Sequence, residues 1–243
     1  MSGSAAETTL DPVLAAALEQ VAETGWNGLT MHAVAEAAGL PPAEVYRRYP
    51  DREALLTGFF ATVDAEVLAG LEAEAAAPPD MPADTEAPAD AEAPAESAGP
   101  PAAAPADSVR ERLLDIMMRR FDVLEAYRPV VAALAEDLPR DPVAALCGVS
   151  AGLRSMRWML EAADVDAHGL SGLIRAKGLL AVYANALWVW LGDTSPDRGP
   201  TMRALDTGLK RLEGPARLLG RLESRVGVPR PPAAPGPGTA GGA

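Results

Sequence analysis

The sequence predicts an all-α chain, a small helical domain followed by a larger one, and three observations carry that prediction. Apolar residues recur at helical spacing through most of residues 11–74 and 108–226, and no segment alternates polar and apolar over five or more residues as a half-buried strand does. Helix-start signals, such as Asp11-Pro12, Thr30 and Asp141-Pro142, punctuate the apolar runs at helix-sized intervals. Between the two helical regions, residues 75–107 hold eight prolines, seven acidic side chains and no basic one, a composition that cannot build a core. The domain organisation that follows is a disordered N-terminus (1–10), an N-terminal domain (11–74), a disordered Ala/Pro/acidic tether (75–107), a C-terminal helical domain (108–226) and a disordered Pro/Gly tail (227–243).

Some nine helices are expected. Asp11 caps the first, Pro12 occupies its first helical position, and Val13, Leu14, Ala17, Leu18 and Val21 share one face until Thr24-Gly25 ends it. Thr30 caps a short helix with Met31, Val34, Ala35 and Ala38 inward, and Gly39 stops it by supplying a positive φ. A second short helix starts at Pro41-Pro42 and runs to about Tyr49, with Val45 facing Val34. Two short helices joined by a Gly-containing turn make a helix-turn-helix. In the second region, Ser108-Val109-Arg110-Glu111 reads as a capping box that opens a helix with Val109, Leu113, Ile116, Met117, Phe121 and Leu124 inward. Arg128-Pro129 interrupts it. Further helices are expected from Asp141-Pro142 to about Ala162, from about Gly169 to Leu191, and from Thr201 to about Arg225.

Composition narrows the function classes. The single cysteine, Cys147, excludes an internal disulfide framework and a cysteine-based zinc cluster, and only His32 and His168 remain for metal or triad chemistry. No nucleophile–base pair, Gly-rich phosphate loop or metal-ligand spacing is present, so an enzyme, a cofactor and a metal site are not expected. Asp193, Ser195 and Asp197 read as a turn with a helix cap. Residues 1–12 show no secretory signal, and the apolar run 178–192 is too short to span a bilayer, so the expected location is cytoplasmic. The net charge is −13, with twelve acidic against three basic residues in 1–74. Nucleic-acid binders are usually basic, so any DNA affinity must come from a local cluster.

Such a cluster lies in residues 25–56. Thr30, Val34-Ala35, Ala38-Gly39-Leu40, Val45-Tyr46-Arg47-Arg48-Tyr49 and Arg52-Glu53-Ala54-Leu55 resemble the signature of the DNA-binding domain of TetR-type bacterial repressors. The resemblance covers about 45 residues and implies that the second short helix enters the major groove. Thr30, Tyr46 and Arg52 would then contact phosphates, Ala43, Glu44 and Arg47 would approach base edges, and Arg48 would add to a positive patch with Arg47 and Arg52. Helix N-termini offer N–H groups to phosphate and Arg can read guanine bidentately, so these roles are physically coherent. Pro41-Pro42 stands where the family has Ser and a small or basic residue, and Glu44 repels phosphate unless it meets a cytosine amino group. Modest, strongly salt-dependent affinity is the expectation.

The same resemblance implies a C-terminal domain that forms a homodimer and binds a small apolar effector, with repression of a near-palindromic operator relieved by the effector. The face Leu170, Leu173, Ile174, Leu180, Val182, Tyr183, Leu187 and Leu191, with Met202, Leu205, Leu209, Leu212, Leu218 and Leu222, is the expected dimer surface. Met117, Phe121, Met156, Trp158 and Met159 are candidates for an apolar pocket, with Arg154 for an acidic group on the ligand; ordinary core is the competing reading. A second resemblance points elsewhere. Gly25-Trp26, Lys177 to Tyr183, Trp188, Gly192 to Asp197, Thr201 and Leu205-Asp206 are similar to the TetR-fold lipid-binding accessory proteins of ubiquinone biosynthesis, which implies an isoprenoid or lipid carrier without DNA binding.

Overall fold

The computed structural model describes residues 10–76 and 106–226, with side chains described for 10–76 and 109–215. Nine α-helices and a three-residue 3-10 turn make up the described residues, with no strand among them. The helices are α1 (Pro12–Thr24), α2 (Met31–Ala37), α3 (Pro42–Arg48), α4 (Arg52–Ala76), α5 (Ala106–Glu125), α6 (Arg128–Asp137), α7 (Pro142–Ala162), α8 (Gly169–Gly192) and α9 (Gly199–Val226). The all-α expectation holds. The expected tether and both expected disordered ends lie almost wholly outside the described residues; α4 runs to Ala76 and α5 starts at Ala106, each about two residues into the span assigned to the tether.

Local rules account for the N-terminal elements. The Asp11 carboxylate accepts the Val13 N–H at 2.8 Å, and α1 buries Val13, Leu14, Ala17, Leu18 and Val21. Thr30 Oγ1 accepts the Ala33 N–H at 3.3 Å, so the cap expected from sequence is formed. The α2–α3 turn closes by paired bonds, Leu40 N–H to the Ala35 carbonyl and Gly39 N–H to the Glu36 carbonyl, both 3.1 Å. Gly39 sits at φ +65°, with open space where a Cβ would stand, so conformation alone demands glycine there.

Two cap expectations need correction. Ser108 lies inside α5, because the helix begins two residues earlier at Ala106 and the capping box is not its start. Arg128-Pro129 does not only interrupt; it opens α6, with Pro129 in the first turn, where its missing N–H has no helical partner to lose.

The helices pack as a head and a body that share α4. Helices α1 and α2 and the first half of α4 enclose Leu14, Leu18, Trp26, Leu29, Val34, Val45, Leu55 and Phe59, and α1 also packs on α6. Helix α4 also packs on α5 and α7, α7 on α8, and α9 along both α8 and α5. By length and composition α4, rather than segment 178–192, is apolar enough to cross a membrane. It buries Leu55, Leu56, Phe59, Val63, Asp64 and Val67 against its neighbours, as a core helix does.

One buried polar cluster ties the body together. Arg120 of α5, 2% exposed, bonds Asp64 of α4 and Tyr183 Oη of α8 (3.3 Å), and Ser155 Oγ of α7 donates to the other Asp64 oxygen at 2.7 Å. Four helices thus meet on one ion pair, with Phe121 stacked on Tyr183 at 5.5 Å beside it. Burying a charge is tolerable only when it is paired and hydrogen-bonded, as both are here.

Candidate functional site

The exposed side of α3 is built by subtraction. A seven-residue helix that buries only Val45 must leave the rest outward, and Ala43, Tyr46, Arg47 and Arg48 are all exposed, Tyr46 at 50%. Of the residues expected at DNA, Thr30, Ala43, Glu44, Tyr46, Arg47 and Arg48 lie on α3 or at the start of α2 beside it. Thr30 remains exposed while its hydroxyl caps α2.

The charge on this surface is more balanced than the motif suggests. Glu44 lies 3.5 Å from Arg47 and 2.8 Å from Arg48, and Arg48 also reaches Asp11 at 3.5 Å. Two guanidinium groups therefore face two carboxylates. Exposed pairs of this kind are worth about 0.2–1 kcal/mol, so a phosphate can displace them at little cost. Tyr49 sits beside the same charges; burial, then Asp11, raises its phenol pKa and keeps it neutral.

Arg52 departs from the expected cluster. Its guanidinium donates to Asp141 Oδ2 at 3.3 Å and to the Trp26 carbonyl at 3.4 Å, and it lies 5.2 Å from the centre of the Trp26 ring. The carboxylate that Arg52 meets belongs to the body, at the start of α7. The expected trio of Arg47, Arg48 and Arg52 is thus a pair on α3 and a separate contact to α7.

The body holds a cavity of about 300 Å³ between the first turns of α5, the end of α7, and α8 and α9. Val109, Leu113, Leu160, Val165, Ile174, Leu179, Leu209 and Leu212 give it apolar walls, and Arg110, Arg175 and Glu213 supply charged ones. Arg110 pairs with Glu213 at 3.0 Å and Asp206 at 3.6 Å, and Arg175 donates to the Asp166 carbonyl at 2.8 Å.

None of the six residues expected in a pocket lines this cavity. Met117, Phe121, Met156 and Met159 have no exposed surface and are core, Trp158 is part-buried, and Arg154 points to solvent. Periodicity reports which side of a helix faces inward; it does not report where neighbouring helices diverge. The cavity opens where α5, α7, α8 and α9 part, and Leu209, Leu212 and Ile174, read from sequence as dimer surface, line it instead.

The expected dimer face is corrected in the same way. Tyr183, Leu205 and Leu209 are buried within the chain's own core, whereas Leu170, Ile174, Trp188 and Met202 stay outward, at 75%, 44%, 62% and 43% exposure. Leu218 and Leu222 lie among residues whose side chains are not described. A second outward apolar row, Val143, Leu146 and Val149 on α7, had no counterpart in the sequence reading.

Asp193 behaves as the turn reading expects. It accepts from Ser195 Oγ (2.5 Å) and N (3.0 Å) and from Thr201 Oγ1 (2.7 Å) and N (3.2 Å), joining α8 to α9. The Ser195 and Thr201 hydroxyls hold its carboxyl far below the usual carboxylate range. Among the described residues no group of His, Cys, Asp and Glu could hold a metal ion.

Comparison with known proteins agrees with this geometry. Residues 13–58 match the family model of bacterial regulatory proteins of the tetR family. No curated protein matches the chain. In structure it is similar to a TetR transcriptional regulator from Nitrosomonas europaea ATCC 19718, at 19% identity and a TM-score of 0.56, over 83% of this chain and 95% of that one. It is similar also to a TetR transcriptional regulator from Rhodococcus sp. RHA1, at 18% identity and a TM-score of 0.53, over 83% and 96%. Residues of α1 to α4 thus match the model of the tetR family of bacterial regulatory proteins, and the chain as a whole is folded like those two regulators.

Proposed function

We propose that this chain works as a homodimeric, operator-binding repressor in the cytoplasm, released by a small apolar effector held in the body. The observation that supports it most is α3 itself. A short helix, fixed at its start by a two-bond glycine turn, presents Ala43, Tyr46 and Arg47 outward, exposed among the described residues. Tyr46 Oη and Arg48 suit phosphates, and Arg47, at a long contact to Glu44 among the described residues, suits a base edge. Two-fold pairing through the outward residues of α8 and α9 would place two such helices roughly 34–36 Å apart on a near-palindromic site.

The cavity is the effector site in this reading. An apolar hole of about 150 Å³ in another protein accepts benzene, so one of about 300 Å³ suits roughly two aromatic rings or a short aliphatic chain. The effector acts only if it prefers the state whose heads are wrongly spaced. Selection of duplexes from a random-sequence library at low salt tests the first half: a recovered palindrome supports the proposal. The second half is tested by adding a two-ring hydrocarbon to the complex. Release by the wild type but not by Ile174→Trp, which fills the cavity from its outer wall, is the expected result.

The charge balance on α3 favours one alternative, a lipid or isoprenoid carrier that does not bind DNA. Native mass spectrometry of the purified protein that shows a retained isoprenoid lipid, with no duplex recovered, would replace the repressor reading with that one.

A further inference from the structure

Asp141 serves two parts of the molecule at once. Its Oδ1 caps α7, accepting the N–H groups of Val143 at 3.2 Å and Ala144 at 3.0 Å. Its Oδ2 accepts from the Trp26 indole at 3.2 Å and from the Arg52 guanidinium at 3.3 Å. Arg52 closes the triangle by donating to the Trp26 carbonyl and covering the indole ring. Four residues before Asp141, Asp137 Oδ2 accepts the Asn27 N–H at 3.2 Å. The joint between α6 and α7 therefore holds both the loop between α1 and α2 and the first residue of α4.

Gly25 lets the two parts come this close. It adopts φ +78°, and a Cβ there would stand 2.7 Å from Asp137 Oδ2. Trp26 is 1% exposed, so the contact is packed as well as bonded. A charge-assisted bond that is partly shielded from water is stronger than a surface pair. The Arg52 and Asp141 side chains keep 32% and 17% exposure, whereas Arg47 keeps 74%.

We propose that Trp26, Arg52 and Asp141 form a latch that sets the angle at which the head presents α3. Arg52 is then a positioning residue for operator recognition and not a phosphate contact. This rests on the operator-binding reading above. Helix α7 carries the latch at one end and contributes Leu160 to the cavity at the other, so a shift of α7 is felt at a carboxylate that holds the head. A dimer reading two half-sites needs this angle fixed, because a slack head accepts half-sites at more than one separation.

The test compares wild type, Arg52→Gln, Asp141→Asn and the double variant on the palindrome selected by the wild type, and on the same palindrome lengthened at its centre by one and two base pairs. Circular dichroism and urea unfolding first establish that each variant is folded. The latch predicts that both single variants lose discrimination between native and lengthened sites by about tenfold, a coupling of ordinary size. It also predicts that the double variant is no worse than either single one, and that the slope of log K against log salt is unchanged. A phosphate contact predicts the contrary: Arg52→Gln lowers the slope by about one, and Asp141→Asn leaves binding unchanged or tighter. That result overturns the proposal, as does a loss of stability with spacing discrimination intact. If the wild type selects no duplex, the operator reading fails by itself. The latch is then judged by NMR exchange of the Trp26 indole proton, expected to be slow in wild type and fast in Asp141→Asn; equal rates overturn it.

Discussion

The outward face of α3 and the crossing of α4, α5, α7 and α8 both place arginines beside carboxylates, and they use them oppositely. On α3, Arg47 and Arg48 rest against Glu44 in water, where the pairs are weak and exchangeable. At the crossing, Arg120 is buried against Asp64 and Tyr183, with Ser155 donating to the other Asp64 oxygen. The same chemistry is an exchangeable surface pair in one place and a structural pin in the other. Access to water decides between them.

Breaking the pin has the largest expected effect. Asp64→Ala leaves a buried guanidinium without its counter-charge and is expected to cost about 3–5 kcal/mol in urea unfolding. Arg47→Ala, by contrast, should leave the unfolding midpoint unchanged. Equal losses in the two variants would mean that burial does not separate the two arginine sites.

Next is the turn that aims α3. Gly39→Ala has room for its methyl group but must hold φ +65°, a strain of about 1–2 kcal/mol for an L-residue. Unfolding should register that loss. A neutral result would mean that the turn relaxes and α3 is less firmly aimed than its two backbone bonds indicate.

These two sites also differ in how far they could be read from sequence. The head is legible because its demands are local. A cap needs Thr30, a positive φ needs Gly39, and a helix of seven residues can bury only Val45, so each requirement leaves a residue type at a fixed offset. Arg52 shows the limit of that logic: its offset matches the family pattern, but its partner, Asp141, is 89 residues away. The body is legible only as helices. Arg120 and Asp64 are unremarkable letters in amphipathic runs, and nothing local says that they meet across 56 positions. The cavity is harder still, because a vacancy depends on how far four helices diverge, and that is a property of the packing. Met117, Phe121, Met156 and Met159, for which the sequence leaves open pocket lining or ordinary core, are core.

Glu44 gives a smaller and sharper test of the α3 surface. Glu44→Gln removes the carboxylate that both arginines face, so DNA binding should strengthen a few-fold at low salt, with the salt slope steeper by about one. Fluorescence anisotropy across a salt series measures both. If binding weakens on the selected duplex but not on random duplex, Glu44 is instead reading a base.

The smallest effect concerns acid stability of the α8–α9 joint. Asp193 has its carboxyl pKa lowered by the hydroxyls of Ser195 and Thr201, so its charged form is favoured in the folded state. A lowered folded value gives stabilisation that is full above the ordinary carboxylate value and lost as pH falls toward the folded one. Below about pH 4 the wild type should therefore lose stability more steeply than Asp193→Asn. Parallel pH profiles would show that this carboxylate does not contribute.

The central claim is that α3 holds a duplex through Arg47, Arg48 and Tyr46 in spite of the acidic chain around it. Its most direct measurement is the affinity of wild type, Arg47→Ala and Tyr46→Phe for the wild-type-selected duplex as salt is varied. The account predicts steep salt dependence for the wild type, a slope shallower by about one in Arg47→Ala if that arginine meets phosphate, and an unchanged slope with relaxed sequence preference if it meets a base. Tyr46→Phe should weaken binding uniformly across sequences. Identical affinities for all three proteins, or no binding by the wild type even in dilute buffer, would contradict it.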